Sequence, residues 1–228
     1  MRSIHDNLQA VRDRIAGAAA AAGRDPRSVT LLAVSKTHPA PLLAQAHAAG
    51  QRAFGENYVQ EAVGKMDALA LAGLEWHLIG PLQSNKTRLA AARFDWVQTL
   101  ESERIARRLS GQRPGSLPPL NVLIQVNVSG EASKSGVAPP EIEGLCVLVS
   151  RMPRLKLRGL MAIPEPGADR ARYQELRSLF EKLKDRFRFD TLSVGMSDDL
   201  EIAIAEGATM VRIGTAIFGP REAVKDAA

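Results

Sequence analysis

Cysteine is nearly absent: Cys146 is the only one in 228 residues. An internal disulfide is therefore impossible, as is a CxxC metal or redox pair. Reducing cytoplasm is the expected compartment. Aromatic residues make up only 4% of the chain, too few for the basic, base-stacking surfaces of nucleic-acid modules. No stretch approaches the roughly 20 apolar residues of a membrane helix. The alanine run at 18–22 sits between Arg14 and Arg24. Residues 1–6 lead into no apolar segment, so no secretory leader is expected. Charge of one sign is only mildly in excess. The balance of 30 basic against 25 acidic residues gives +5 and a pI near 9.7, which suits a solvated surface or small anionic ligands. HExxH, the GxSxG elbow, the Walker loop and GxGxxG are all missing.

What is present is an average globular composition, 45% hydrophobic and 24% charged, long enough to bury a core without staples. Residues 3–23 read as a helix with apolar spacing near 3.6, stopped by Gly23. Strand and helix patterns then alternate. Strands are expected at 30–36, 52–57, 75–80, 95–100, 121–128, 155–163, 191–196 and 210–215. Between them lie helices at 42–50, 58–72, 85–92, 102–110, 140–151, 168–187 and 198–206, with a short tail helix after Pro220. Eight βα units in 228 residues leave about 28 residues each, enough for the repeat. Strict alternation predicts a parallel sheet, and eight units can close into a barrel without edges. The fold expected is one α/β domain over 1–228, a (β/α)8 TIM barrel with an extra helix in front. A doubly wound open sheet is the alternative.

Barrel active sites lie at the carboxyl ends of the strands. The first strand ends in Ser35-Lys36-Thr37-His38. Burial lowers an ammonium pKa and frees the lone pair for Schiff-base chemistry, although most lysines simply meet water. The seventh and eighth strands end in Gly195-Met196-Ser197-Asp198 and Arg212-Ile213-Gly214-Thr215. Late barrel loops commonly hold phosphate through backbone N–H groups. Plain helix capping by Ser197 or Asp198 is the competing account. Arg212 shares a strand face with Gly214 and needs an acceptor inside the barrel, such as a buried carboxylate like Glu56. Asn57, His77 and Met161 fall in or near strand ends, where each could equally be structural.

Seven blocks follow one pattern in order along the chain. They include AVSKTHP from Ala33, FGENYVQE from Phe54, WHLIGPLQSNK from Trp76, QVNVSGEASKSG from Gln125, GLMAI from Gly159, SVGMSDDLEIAI from Ser193 and VRIGTAIFG from Val211. The sequence closely resembles the YggS/PROSC family of pyridoxal 5'-phosphate (PLP) homeostasis proteins. Val194 stands where that family usually has methionine, a conservative departure. The resemblance implies a fold type III barrel, like the N-terminal domain of alanine racemase. It implies that Lys36 holds PLP as a Schiff base and that Ser197, Gly214 and Thr215 hold the phosphate. It places Arg212 at the pyridine nitrogen, with Asn57, His77 and Met161 lining the ring pocket.

A guanidinium can only donate, so the ring nitrogen would stay unprotonated and be a poor electron sink. The related racemases also use a tyrosine from a further domain, whereas Tyr58 and Tyr173 are the only tyrosines here. The expectation is a cytoplasmic PLP carrier with little or no turnover. A low-activity amino-acid racemase or lyase is the alternative. Partners expected are PLP, amino acids and PLP-dependent apoenzymes, with no membrane or nucleic acid, and the chain is expected to be a monomer. The loop from Ser129 to Gly136 reads as a lid or an inert surface loop, with Lys134 a candidate for transient handover of the cofactor.

Overall fold

A computed structural model describes residues 3–130 and 135–220. The first helix, α1 (Ile4–Ala21), starts at a reciprocal cap. Ser3 Oγ accepts from the Asp6 amide and the Asp6 carboxylate accepts from the Ser3 amide, satisfying two otherwise orphaned donors. Its buried residues Ile4, Leu8, Val11, Ile15 and Ala19 recur every three or four positions, which is one helical face. Gly23, in the left-handed region at φ +67°, ends the turn.

Eight parallel strands then close on themselves. They are β1 (Thr30–Val34), β2 (Ala53–Glu56), β3 (Glu75–Leu78), β4 (Trp96–Leu100), β5 (Leu120–Val126), β6 (Leu155–Ala162), β7 (Thr191–Ser193) and β8 (Met210–Ile213). The order is sequential, and β1 pairs with β8 through Leu31↔Val211 and Leu32↔Arg212. Closure excludes the open doubly wound sheet. The connecting helices are α2 (Ala40–Ala48), α3 (Val59–Leu69), α4 (Thr87–Arg93), α5 (Glu103–Gln112), α6 (Ile142–Ser150), α7 (Arg170–Phe187) and α8 (Leu200–Ala205). A last short helix, α9 (Thr215–Phe218), follows β8. The tail helix expected after Pro220 falls on residues 221–228, outside the described residues. No described helix is long and apolar enough to cross a membrane.

Strand alternation sorts side chains into two layers. Phe54, Leu78, Val97 and Val211 face outward into the large core shared with the helices. Leu32, Ala53, Ile79 and Met210 form one apolar cluster, and Trp96, Leu123 and Met161 another. Buried polar residues share the inward-facing positions of the strands: His77, Gln98, Ser193 and Arg212. The strands are shorter than their sequence pattern suggests. β1 stops before Ser35, β7 stops before Gly195 at φ +103°, and Thr215 opens a helix instead of ending a strand.

Gly159 marks the closest backbone approach in the wall. It pairs with Thr191 across β6 and β7, and a Cβ there would lie 1.9 Å from the Thr191 carbonyl oxygen. Gly159→Ala must displace the pairing of two strands. We expect it to cost at least about 3 kcal/mol, lowering Tm by roughly 6–12 °C. Thermal unfolding followed by circular dichroism checks this, and a Tm unchanged within about 2 °C would contradict it.

Candidate functional site

A cavity of about 550 Å³ opens at the carboxyl ends of β1, β2, β7 and β8. It brings together six of the residues expected from sequence: Lys36, Asn57, Ser197, Arg212, Gly214 and Thr215. Val34, Ile79 and Ile163 add apolar wall. A second hollow of about 340 Å³ continues the mouth past Asn57 and Ile79 towards Thr99, Gln125 and Glu165.

Lys36 is held from both sides by charge behind the barrel wall. Ser35 Oγ donates to Glu56 Oε1 at 2.6 Å, and Lys65 Nζ donates to the Ser35 carbonyl at 2.7 Å. Thr37 sits at φ +65°, unusual for a β-branched residue. Its amide donates to Glu61 Oε1 at 2.6 Å. Lys65, on α3, bridges both carboxylates, 2.7 Å from Glu56 and 2.6 Å from Glu61. Burial pushes the Glu56 carboxyl above its ordinary pKa, and the Lys65 ammonium opposes that shift.

Arg212 is buried within β8, yet among the described residues no carboxylate forms an ion pair with it, and Asp199 acts on it only through space. Nη1 donates to the Ser193 carbonyl at 2.8 Å and to Ser193 Oγ at 3.0 Å, while Nη2 donates to the Ala162 carbonyl at 2.9 Å. The suggested partner Glu56 faces the opposite side of the wall, bound to Lys65. Burial lowers the Arg212 pKa to about 10, so the guanidinium stays charged at neutral pH.

The Ser197 loop is shaped by its neighbours. Gly195 turns it at φ +103°, where a Cβ would meet Ala203 at 2.6 Å. Neither Ser197 nor Asp198 caps α8, because the flanking residue is Asp199. Asp199 Oδ1 instead accepts from the Met196 amide, and Oδ2 accepts from the Tyr173 hydroxyl at 2.6 Å. Burial and that carboxylate push the Tyr173 pKa upwards. From α1, Arg14 donates to the Ser197 carbonyl at 3.1 Å while forming an ion pair with Glu201. Asn7 donates to the Ile217 carbonyl at 2.9 Å. The sequence gives Arg14 and Asn7 no role at the mouth, and it weighs Tyr173 only as an absent racemase tyrosine. For Arg14 and Asn7 the one signal is a polar position beside the buried face of α1.

Two expected residues do not line this cavity. His77 and Met161 are fully buried one layer lower in the barrel. The side chains that reach the mouth on the same strand faces are two residues further on, at Ile79 and Ile163. His77 stacks on Trp96 with ring centroids 5.1 Å apart. Cys146 lies on the buried face of α6, with its thiol pKa raised to about 12 by desolvation. The 129–136 loop is tied at its described ends, through Ser129 Oγ to Glu165 and the Gly136 amide to Glu101. Lys134 lies outside the described residues.

Lys65→Met leaves two carboxylates without their cation. We expect a loss of about 3–5 kcal/mol at neutral pH. A carboxyl whose folded pKa is raised keeps its proton in the folded state after the unfolded chain has lost it. Ionised Glu56 therefore costs stability at neutral pH, and the deficit should shrink as pH falls through its raised pKa. Urea unfolding at neutral and mildly acidic pH tests this, and an equal deficit at both would count against it.

The chain matches the family described as "Alanine racemase, N-terminal domain" over residues 7–222. It is 59% identical over 224 residues to the pyridoxal phosphate homeostasis protein of Pseudomonas aeruginosa, covering 97% of each chain. It is 56% identical to the protein of the same name from Escherichia coli, covering 97% of this chain and 98% of the other. PipY of Synechococcus elongatus, solved with PLP bound, superposes with TM-score 0.83 at 36% identity, over 95% of this chain and all of PipY. Alanine racemase from Corynebacterium glutamicum shares the fold at TM-score 0.71 and 18% identity, with 63% of its chain covered. The inward strand faces, the mouth cavity and these likenesses converge: the chain belongs to the alanine racemase N-terminal domain family, in its branch of pyridoxal phosphate homeostasis proteins.

Proposed function

We propose that this chain binds PLP at the barrel mouth and serves to buffer or deliver it. The observation carrying this reading is one cavity that gathers an amine, a buried guanidinium and two hydroxyls. That donor set matches the groups of PLP. An aldehyde needs a primary amine, a pyridine nitrogen needs a donor, and a phosphate needs hydroxyl and backbone N–H groups. Lys36 would be the covalent anchor. Ser197, Gly214 and Thr215 would hold the phosphate, Arg212 the ring nitrogen, and Asn57 would flank the ring. When bound, the cofactor supplies an aldehyde that condenses with amines and a ring that delocalises charge.

The protein's own groups favour holding over turnover. Arg212 keeps its protons at neutral pH and can only donate, so a ring nitrogen facing it stays unprotonated. No tyrosine lines the cavity among the described residues. Tyr58 is 58% exposed, and the Tyr173 hydroxyl is engaged by Asp199. PLP-dependent apoenzymes are the proposed recipients, amino acids are further proposed partners, and the chain is proposed to act as a cytoplasmic monomer.

Purified protein incubated with PLP should gain a visible absorbance band, and borohydride should fix the cofactor on the Lys36 peptide. Lys36→Ala should lose that band; an unchanged spectrum and adduct map in the variant would overturn the anchor. Incubation with amino acids in deuterated water should show no enzyme-like α-proton exchange, whereas rapid exchange would favour a racemase or lyase.

Arg14 bears on the phosphate alone. Arg14→Met should weaken PLP binding about five-fold, the loss of one hydrogen bond worth about 1 kcal/mol, by loosening the Ser197 carbonyl. Affinity for unphosphorylated pyridoxal should not change. Equal weakening of both ligands would show that Arg14 supports the barrel generally.

A further inference from the structure

Five side chains form a continuous hydrogen-bonded chain through the barrel interior. Arg212 Nη1 donates to Ser193 Oγ at 3.0 Å, and Ser193 Oγ donates to Gln98 Oε1 at 2.7 Å. Gln98 Nε2 donates to His77 Nδ1 at 2.9 Å, and His77 Nε2 donates to Glu75 Oε1 at 2.7 Å. Ser193, Gln98 and His77 are fully buried and Arg212 is 4% exposed, while Glu75 is half exposed at the amino-terminal end of the barrel. Every donor points the same way, from the cation at the mouth to the carboxylate at the base.

The sense of the chain is set from the base. A carboxylate can only accept, so Glu75 requires the proton of neutral His77 on Nε2 and leaves Nδ1 as an acceptor. Burial keeps His77 neutral by lowering its pKa, against the pull of Glu75. An acceptor at Nδ1 calls for the amide nitrogen of Gln98, whose Nε2 also lies 3.2 Å from Met210 Sδ. The Gln98 carbonyl then faces Ser193 and takes its hydroxyl proton. That leaves the Ser193 oxygen lone pair for Arg212. A reversed Gln98 amide would turn an N–H towards Ser193, and the hydroxyl proton would compete with the guanidinium. In a buried chain, each bond polarises the next.

We propose that Gln98 is a positioning residue for the ring-nitrogen contact: oriented by Glu75 and His77, it uses Ser193 to aim Arg212 into the mouth. Three of the five guanidinium N–H groups are taken by Ser193 and Ala162. Those bonds decide where the remaining donors point. The inference rests on the reading that Arg212 faces the nitrogen of bound PLP.

The test compares PLP with 1-deaza-PLP, whose ring carries C–H in place of the nitrogen, by equilibrium binding. Wild type should prefer PLP. Gln98→Met keeps the side-chain length and removes the amide. It should lose about ten-fold in PLP affinity, from a weakened bond to a charged donor, and nothing for the deaza analogue. Ser193→Ala should behave likewise. Glu75→Ala, at the far end, should shift the discrimination in the same direction by a smaller factor, and the visible band of the loaded protein should move with it. If wild type fails to discriminate, the placement of Arg212 at the nitrogen is wrong. If wild type discriminates and Gln98→Met and Ser193→Ala retain its full ratio, the positioning role is wrong. If Gln98→Met fails to fold, Ser193→Ala and Glu75→Ala decide the matter by the same ratio.

Discussion

A guanidinium buried in a barrel with no carboxylate bonded to it among the described residues constrains everything around it. Taking a charge out of water is costly unless hydrogen bonds replace the lost solvent. Arg212 meets that requirement with two main-chain carbonyls and a hydroxyl. Neutral acceptors satisfy its donors without cancelling its charge, so the cation remains available to a ligand at the mouth. A carboxylate partner would have neutralised it and pulled it down into the wall. The same feature argues for storage over catalysis on the proposed reading. A charge that persists at a pKa of about 10 will not hand a proton to a pyridine, and an unprotonated ring withdraws electrons weakly.

Glu56 is kept apart from Arg212 by strand geometry. Successive residues point to opposite faces, so a shift of one position moves a side chain through the wall. Gly55 and Asn57 belong to the inward register of β2, and Glu56 to the outward one. Glu56 is therefore delivered to Lys65 on α3, where the pair holds Ser35 and Glu61, bound to the same Lys65, holds the Thr37 amide on the other side of Lys36. One face of the wall carries the buried ion cluster that positions the amine. The other carries the hydrogen-bonded chain that links the guanidinium to Glu75 through Ser193, Gln98 and His77.

Much of this was legible in the sequence, and the failures have physical causes. The apolar alternation located all eight strands and the leading helix, because core burial dictates that pattern. Lys36, Ser197, Arg212, Gly214 and Thr215 were identifiable because barrel strands and their following loops bring such residues to one rim. Depth was not legible. His77 and Ile79 share a face, and period two cannot say which layer opens to the cavity. Strand ends were overrun because apolar character continues past them: Val194 is buried like a strand residue, yet the chain is already turning towards Gly195. Gln98 and Ser193 gave no signal, since an inward polar residue on an apolar strand has meaning only once its partners across the barrel are known.

The leading helix shows why an element outside the βα repeat belongs to the site. α1 packs against α2, α8 and α9, across the seam where β8 meets β1 to close the barrel. Late loops and a four-residue helix have little internal support there, for α9 is too short to hold itself. Arg14 and Asn7 supply that support by donating to the carbonyls of Ser197 and Ile217. These bonds fix the backbone of both segments without using any hydroxyl or amide that a phosphate would need. α1 therefore stiffens the proposed anion cradle from behind while its front stays open. An excised repeat barrel lacking this helix would keep every proposed ligand contact in its sequence and lose the rigidity that makes those contacts converge.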